Sequence, residues 1–178
     1  MSRWGGGRGG GSTGDVAAVG VGDGNDTLSR YLDDLRHKSD AVRLKAAKNL
    51  RIFVEAEARE MSRGTFSTFM TETTKRIFDL ISSSETHERI GGIMAIDELI
   101  EVACEDNETK IIRFANYLRM IFQQPIVDTP TLTQASRALG HLARTGGAVT
   151  AHFAEFELKR SIDWLRSGGV GTSAGGAG

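Results

Sequence analysis

Three stretches of this chain share one spacing. Asp40, Arg43, Ala46, Leu50 and Phe53 are followed by Arg89, Gly92, Ile96 and Leu99, and then by Thr129, Leu132, Ala135, Leu139 and Leu142. Within each set the residues stand three or four apart, which places them on one side of a helix. The sets are offset by 46 residues and then 43, and the outer positions keep step as Leu50, Ile96, Leu139 and as Phe53, Leu99, Leu142. A small residue recurs at Ala46, Gly92 and Ala135, where a structural helix–helix contact with the other helix of the same unit is expected. A chain with this grammar must stack its copies, because one copy cannot bury its own apolar face.

Periods of about 40 to 47 residues, each a pair of helices, mark a HEAT or armadillo-like solenoid. The partner helices are readable between the repeated ones. Asp26 or Thr27 caps a first helix carrying Leu28, Tyr31, Leu32 and Leu35, and Ser39 or Asp40 caps a second that runs to about Met61. Gly64 ends the connection, and Thr65 starts a third with Phe66, Phe69, Met70, Ile77 and Ile81. The fourth runs from about Glu85 to Ala103, and Asp106 or Asn107 opens a fifth with Ile111, Phe114, Ala115, Leu118, Ile121 and Phe122 inward. Pro125 stops it, Thr129-Pro130 starts a sixth, Gly146-Gly147 ends that, and Thr150 caps a seventh with Phe153, Phe156, Ile162 and Leu165. No stretch alternates as a strand does. The expected fold is all-α, an α-α superhelix of about seven helices in three and a half repeats. Gly91-Gly92 admits two readings: a helix break with residues 82–92 as a loop, or close approach of a partner helix that offsets the propensity cost of about 1 kcal/mol per glycine. The second keeps Arg89 and Ile90 in register and is adopted.

Of 22 glycines, ten lie in residues 1–26 and six in 167–178. These ends read as Gly-rich tails, because Gly/Ser tracts bury too little apolar surface to offset ordering entropy, and residues 27–166 read as the repeat segment. A net charge of −1 gives no electrostatic preference for nucleic acid or membrane. The single cysteine, Cys104, excludes an internal disulfide and agrees with a reducing compartment. No apolar run approaches the roughly 18 residues of a membrane span. The amino terminus lacks the apolar core of a signal peptide, and Ser2 stands where myristoylation needs glycine. The expected location is cytoplasmic.

Catalytic chemistry has little support. Gly9 to Thr13 resembles a phosphate loop without its lysine or preceding strand, and Gly20, Gly22 and Gly24 do not form the dinucleotide fingerprint. His37, His87, His141 and His152 never pair at i, i+4 around a glutamate, so no zinc site is expected; His87 and His141 read as solvent-edge residues. Cys104 reads as a small packing residue. Asn25-Asp26-Thr27 and Asn107-Glu108-Thr109 read as capping residues, because glycosylation would require secretion. The glycine-loop, H-R-D and D-F-G motifs of a protein kinase are missing. No catalytic, cofactor or metal residue is assigned.

The stretches S-E-T-H-E-R-I-G-G-I-M-A-I-D-E-L-I (84–100), R-F-A-N-Y-L-R-M-I-F (113–122), A-S-R-A-L-G-H-L-A-R-T-G-G-A-V-T (135–150) and E-F-E-L-K-R-S-I-D-W-L-R (155–166) resemble the amino-terminal HEAT repeats of target of rapamycin, a phosphatidylinositol-kinase-related serine/threonine protein kinase. The resemblance covers roughly residues 27–166. It implies a superhelical arm that helps bind the regulatory partner raptor and, further along, a small GTPase. The rapamycin-binding and kinase domains it implies lie far downstream of such a segment, so no catalytic residue carries over.

After Trp164-Leu165-Arg166 the chain departs from that family into S-G-G-V-G-T-S-A-G-G-A-G, where the family continues into another helix. The departure reads as a gene model that stops early, in preference to a natural short form, because a solenoid is expected to end in a polar capping unit. The leading functional reading is an interaction scaffold in nutrient and growth signalling, with no direct membrane insertion and no nucleic acid. The alternatives are an independent small HEAT adaptor without a kinase, and an RNA-associated protein acting through its Gly-rich tail, where Arg8 stands among glycines. The terminal helix, Thr150 to Arg166, carries more apolar surface than one neighbour covers, and self-association through it is expected.

Overall fold

The computed structural model describes residues 24–104, 106–124 and 127–166, without the side chains of Trp164 and Leu165. Pro125, those two side chains and most of the Gly-rich tails, with Trp4 and Arg8, therefore lie outside the described residues. Seven α-helices account for the described fold: α1 (Gly24–Asp34), α2 (Asp40–Glu60), α3 (Arg63–Ile81), α4 (Thr86–Leu99), α5 (Asn107–Gln123), α6 (Thr129–Gly146) and α7 (Ala148–Arg166). No strand occurs among the described residues, and no described helix is long and apolar enough to cross a membrane.

The helices pack in two layers. Each odd-numbered helix up to α5 pairs with its successor, as α1 on α2, α3 on α4 and α5 on α6. The even helices stack as α2, α4, α6, while α3, α5 and α7 stack on the other side. This is an all-α helical-repeat solenoid, and the three recurring sequence stretches are its even-numbered layer.

The core runs between the layers. Leu50 and Val54 of α2, Ile77 and Ile81 of α3, Ile93, Ile96 and Leu99 of α4, and Phe114 and Leu118 of α5 are all buried. The repeated outer positions are less uniform: Leu50, Ile96, Leu99 and Leu142 are buried, whereas Phe53 and Leu139 pack on the core from its edge. Helix α4 is the organising element, because it touches α2, α3 and α6. A helix covered on three sides must be apolar nearly all round, and Gly91, Gly92, Ile93, Ala95, Ile96 and Leu99 are its buried residues.

Some boundaries differ from expectation, whereas both ends of α6 fall where the sequence places them, and each has a local reason. Helix α1 begins at Gly24, ahead of Asp26 or Thr27, and this first residue packs beside Glu57 and Phe53 of α2. Gly64 lies inside the first turn of α3, because Ser62 is the cap and its Oγ accepts from Thr65 N at 3.4 Å. Helix α4 ends at Leu99 and not near Ala103, because the Leu99, Ile100 and Val102 carbonyls accept from the Lys110 ammonium. Helix α6 starts one residue after Asp128, whose carboxylate accepts from Thr131 N at 2.8 Å, and Pro130 falls in its first turn, where a missing N–H costs nothing. Gly147, at φ 51°, turns the chain out of α6 in a conformation that glycine adopts readily. Thr150 is a buried residue of α7 whose hydroxyl donates to Gly147 O at 3.2 Å, and α7 has already begun at Ala148.

Candidate interaction surface

Two arginines fix the turns between layers. Arg43 donates to the carbonyls of His37 and Lys38 at 2.7 and 2.8 Å, and Arg89 donates to those of Ser83 and Ser84 at 2.9 and 2.8 Å. In both units the accepting residues stand six and five positions before the arginine, so one device is used twice. Arg43 also pairs with Asp40, while Arg89 reaches Asp128 of the next unit at 2.5 Å. Arg36 and Glu88 form a second bridge between units at 2.8 Å. Partial burial alone would raise the Asp128 carboxyl, but hydrogen bonds from Thr131, Arg89 and Thr86 outweigh it and hold the group well below the usual carboxylate range. Stacking is therefore set by charge-assisted bonds as well as by apolar burial.

Charged side chains also link the even-numbered helices to one another. Arg51 of α2 lies 3.7 Å from Glu55 and 3.4 Å from Glu98 of α4. His141 of α6 contacts Asp97 through Nδ1 at 2.8 Å and Glu101 through Nε2. His141 is therefore a cross-helix bridge and not a plain solvent-edge residue. Burial would lower its pKa, but the hydrogen bonds to Glu101 and Asp97 prevail and raise it. The two ring nitrogens point in different directions, so these carboxylates do not converge on one point. Among the described residues no group of three or more His, Cys, Asp or Glu is placed to hold a metal ion.

On the other layer, Lys110 is buried with its ammonium on three carbonyls, and burial lowers its pKa. Cys104 is half-buried nearby, and desolvation raises its thiol, which favours the unreactive protonated form. Helix α7 closes the stack. Its Glu157 is buried against Arg160 at 2.7 Å, and Arg160 also donates to Phe122 O at 3.0 Å. Val149, Phe156, Leu158 and Ile162 remain exposed, with the Arg119 guanidinium 5.2 Å from the Phe156 ring centre.

The three small residues singled out from the sequence are all buried. A β-carbon added at Gly92 would lie 2.8 Å from Ile81 Cγ1 and 3.0 Å from Leu80 Cβ, so this residue faces α3, the other helix of its own unit. Gly91, which the repeat pattern does not mark, faces the preceding unit: its β-carbon would lie 2.0 Å from the Leu35 carbonyl oxygen. The arginine turns, the His141 bridge and the Lys110 contact are likewise unmarked by apolar spacing. Only the matching placement of Arg43 and Arg89 hints at the first.

Seven helices in two stacked layers, tied across units by ion pairs, define an all-α helical-repeat segment. No family model matches the chain. It is 41% identical over 136 residues to the serine/threonine-protein kinase tor1 of Schizosaccharomyces pombe and 42% identical over 141 residues to the serine/threonine-protein kinase TOR of Arabidopsis thaliana. It is 36% identical over 141 residues to TOR2 of Saccharomyces cerevisiae, and these matches cover 76%, 79% and 78% of this chain respectively. The chain is thus a homologue of one segment of the TOR serine/threonine kinases, and it spans about 6% of their length.

Proposed function

We propose that this chain is a protein-interaction scaffold equivalent to the opening helical repeats of a TOR kinase, acting in the cytoplasm in assembly with a raptor-type regulatory subunit. In this reading it contributes binding surface and no catalysis. The observation that carries the proposal is the row from Arg51 through Glu98 and Asp97 to His141, which crosses α2, α4 and α6. Units fixed to one another by Arg89–Asp128 and Arg36–Glu88 hold that row in a set geometry, as a repeat protein does when it presents an extended docking face.

The test is capture of a purified raptor-type subunit by the immobilised full chain. Deleting residues 1–23 should leave capture unchanged, whereas Glu98→Lys with Glu101→Lys should abolish it while circular dichroism shows the chain still folded, because the partly exposed pairs these residues make with Arg51 and His141 are worth only about 0–1 kcal/mol each. Capture that needs residues 1–23 and ignores the charge reversals would count against a helix-face scaffold.

A further inference from the structure

One face of α2 is left uncovered. Leu44, Lys45, Lys48, Ile52 and Arg59 stand along it at helical spacing, and all five are exposed. Ala46, Leu50 and Val54, on the opposite side, are buried in the core. Among the described residues, none of these three cations has a hydrogen-bond or ion-pair partner for its side chain. The neighbouring carboxylates are already engaged: Asp40 pairs with Arg43, Glu55 lies 3.7 Å from Arg51, and Glu98 of α4 lies 3.4 Å from that same arginine. Lys45 and Lys48 are like charges one turn apart, which disfavours a helix with nothing opposite it. Leu44 and Ile52 stand one turn to either side of Lys48, about 12 Å apart along the axis.

We propose that this face of α2 docks an acidic amphipathic helix of a partner protein. A helix lying along α2 sets two apolar residues, seven or eight apart, on Leu44 and Ile52. A carboxylate between them meets Lys48, and others toward its ends meet Lys45 and Arg59. The face bears no aromatic residue of the kind that seats among lipid headgroups, and its cations alternate with aliphatic side chains in the pattern of helix anchors. The proposal rests on the scaffold reading and adds to it a second surface with a stated partner chemistry.

The probe is a fluorescein-labelled peptide, Glu-Ala-Leu-Glu-Ala-Ala-Glu-Ala-Ala-Leu-Glu-Ala-Ala-Glu, titrated into the full chain and followed by anisotropy. Its leucines share a helix face with a glutamate between them. Two control peptides carry lysine for every glutamate, or serine for both leucines. Saturable binding of the acidic peptide, weaker in high salt and not matched by either control, is expected. Lys45→Glu with Lys48→Glu, and separately Leu44→Ser with Ile52→Ser, should each weaken it by at least about tenfold. All four sites are exposed, so circular dichroism should show both variants folded. Lys75→Glu with Lys159→Glu makes the same change of net charge at exposed sites on α3 and α7 and should leave binding intact. Equal binding by the lysine peptide, full affinity in the Lys45 and Lys48 variant, or an equal loss in the Lys75 and Lys159 variant overturns the assignment. So does binding of phosphatidylserine vesicles that depends on Lys45 and Lys48 while the peptide never binds. Peptide failure with subunit capture intact removes the α2 face and leaves the scaffold; capture failure with peptide binding that depends on Lys45 and Lys48 does the reverse.

Discussion

A β-carbon at Gly91 would stand 2.0 Å from the carbonyl oxygen of Leu35, at the end of α1. Glycine at this site lets α4 seat directly against the backbone of the preceding unit. Replacing an interior glycine with alanine ordinarily stabilises a helix by about 1 kcal/mol, but here the obstacle is main chain and cannot rotate away. Gly91→Ala should therefore cost a net 1–3 kcal/mol or so, the usual range for overpacking. At Gly92 the nearest atoms are side-chain carbons of Ile81 and Leu80, at 2.8 and 3.0 Å, so Gly92→Ala should cost less and Gly92→Leu should cost about as much as Gly91→Ala. Urea unfolding of the three variants ranks them; a neutral Gly91→Ala would rule out the close approach.

Arg89 and Asp128 give a second expectation. Arg89→Met removes donors to Ser83 O, Ser84 O and Asp128, and should destabilise the chain by about 2–3 kcal/mol, the scale of hydrogen bonds to charged groups. The pH dependence follows from the depressed Asp128 pKa. A carboxylate lowered in the folded state contributes stability that is present above its unfolded value of about 4 and is lost as pH falls below that value. The stability gap between the parent chain and Asp128→Asn should thus be full at pH 6 and shrink toward about pH 2. A gap that stays constant across that range would show that the negative charge of Asp128 contributes nothing to stability.

The even-numbered layer is readable in the sequence because its signal is periodic: Leu50, Ile96 and Leu142 sit at helical spacing and are buried. The contacts that fix the units are not readable, for two physical reasons. Arg43 and Arg89 bind main-chain carbonyls, which carry no residue identity, and Asp128 lies 39 positions from the arginine it meets. Gly91 and Gly92 are alike as letters, and only the path of α1 past α4 makes one of them face backbone. Helix ends fail where a distant side chain decides them, as Lys110 does for α4. His141 looks solvent-exposed until α4 and α6 stack and bring Asp97 and Glu101 to either side of it.

Lys110 supplies a third expectation in which two effects compete. Burial disfavours its charge, as the lowered pKa records, yet its ammonium supplies donors for the Leu99, Ile100 and Val102 carbonyls. Lys110→Met keeps the aliphatic packing and removes the donors. Unsatisfied carbonyls cost about 1–3 kcal/mol, and relief of desolvation offsets part of that, so a loss near the lower end is expected. Hydrogen exchange should speed up at the end of α4, around Ile100 to Val102. Unchanged exchange there would mean that water replaces the ammonium without loss.

His141 titrates in the opposite sense to Asp128. Its pKa is raised in the folded state, so its ionic contribution is full below the unfolded value of about 6.5 and is lost as pH rises through the folded one. The bridge is partly exposed, so its worth is about 0.5–1 kcal/mol. His141→Gln should lower the urea midpoint at pH 6 and converge on the parent by about pH 9. Variants with Asp97→Asn and Glu101→Gln together should show the same convergence. A deficit that grows with pH would contradict the bridge.

The final expectation concerns α7. Leu158 is 63% exposed and Ile162 38% exposed, and at i and i+4 they share a face, away from the side that buries Glu157. Fully burying such side chains is worth about 1.5–3 kcal/mol each, and both are already partly covered. Two chains pairing through this face would gain only a few kcal/mol against an association cost of about 4 kcal/mol or more. Self-association through the terminal helix should therefore be weak, visible in sedimentation velocity only at high protein concentration and reversed on dilution. Leu158→Ser with Ile162→Ser should remove it, and because exposed substitutions change stability by no more than about 0.5 kcal/mol, the melting temperature should hold. A parent chain monomeric at every concentration would show that α7 does not pair. A double variant that still associates would place the contact elsewhere.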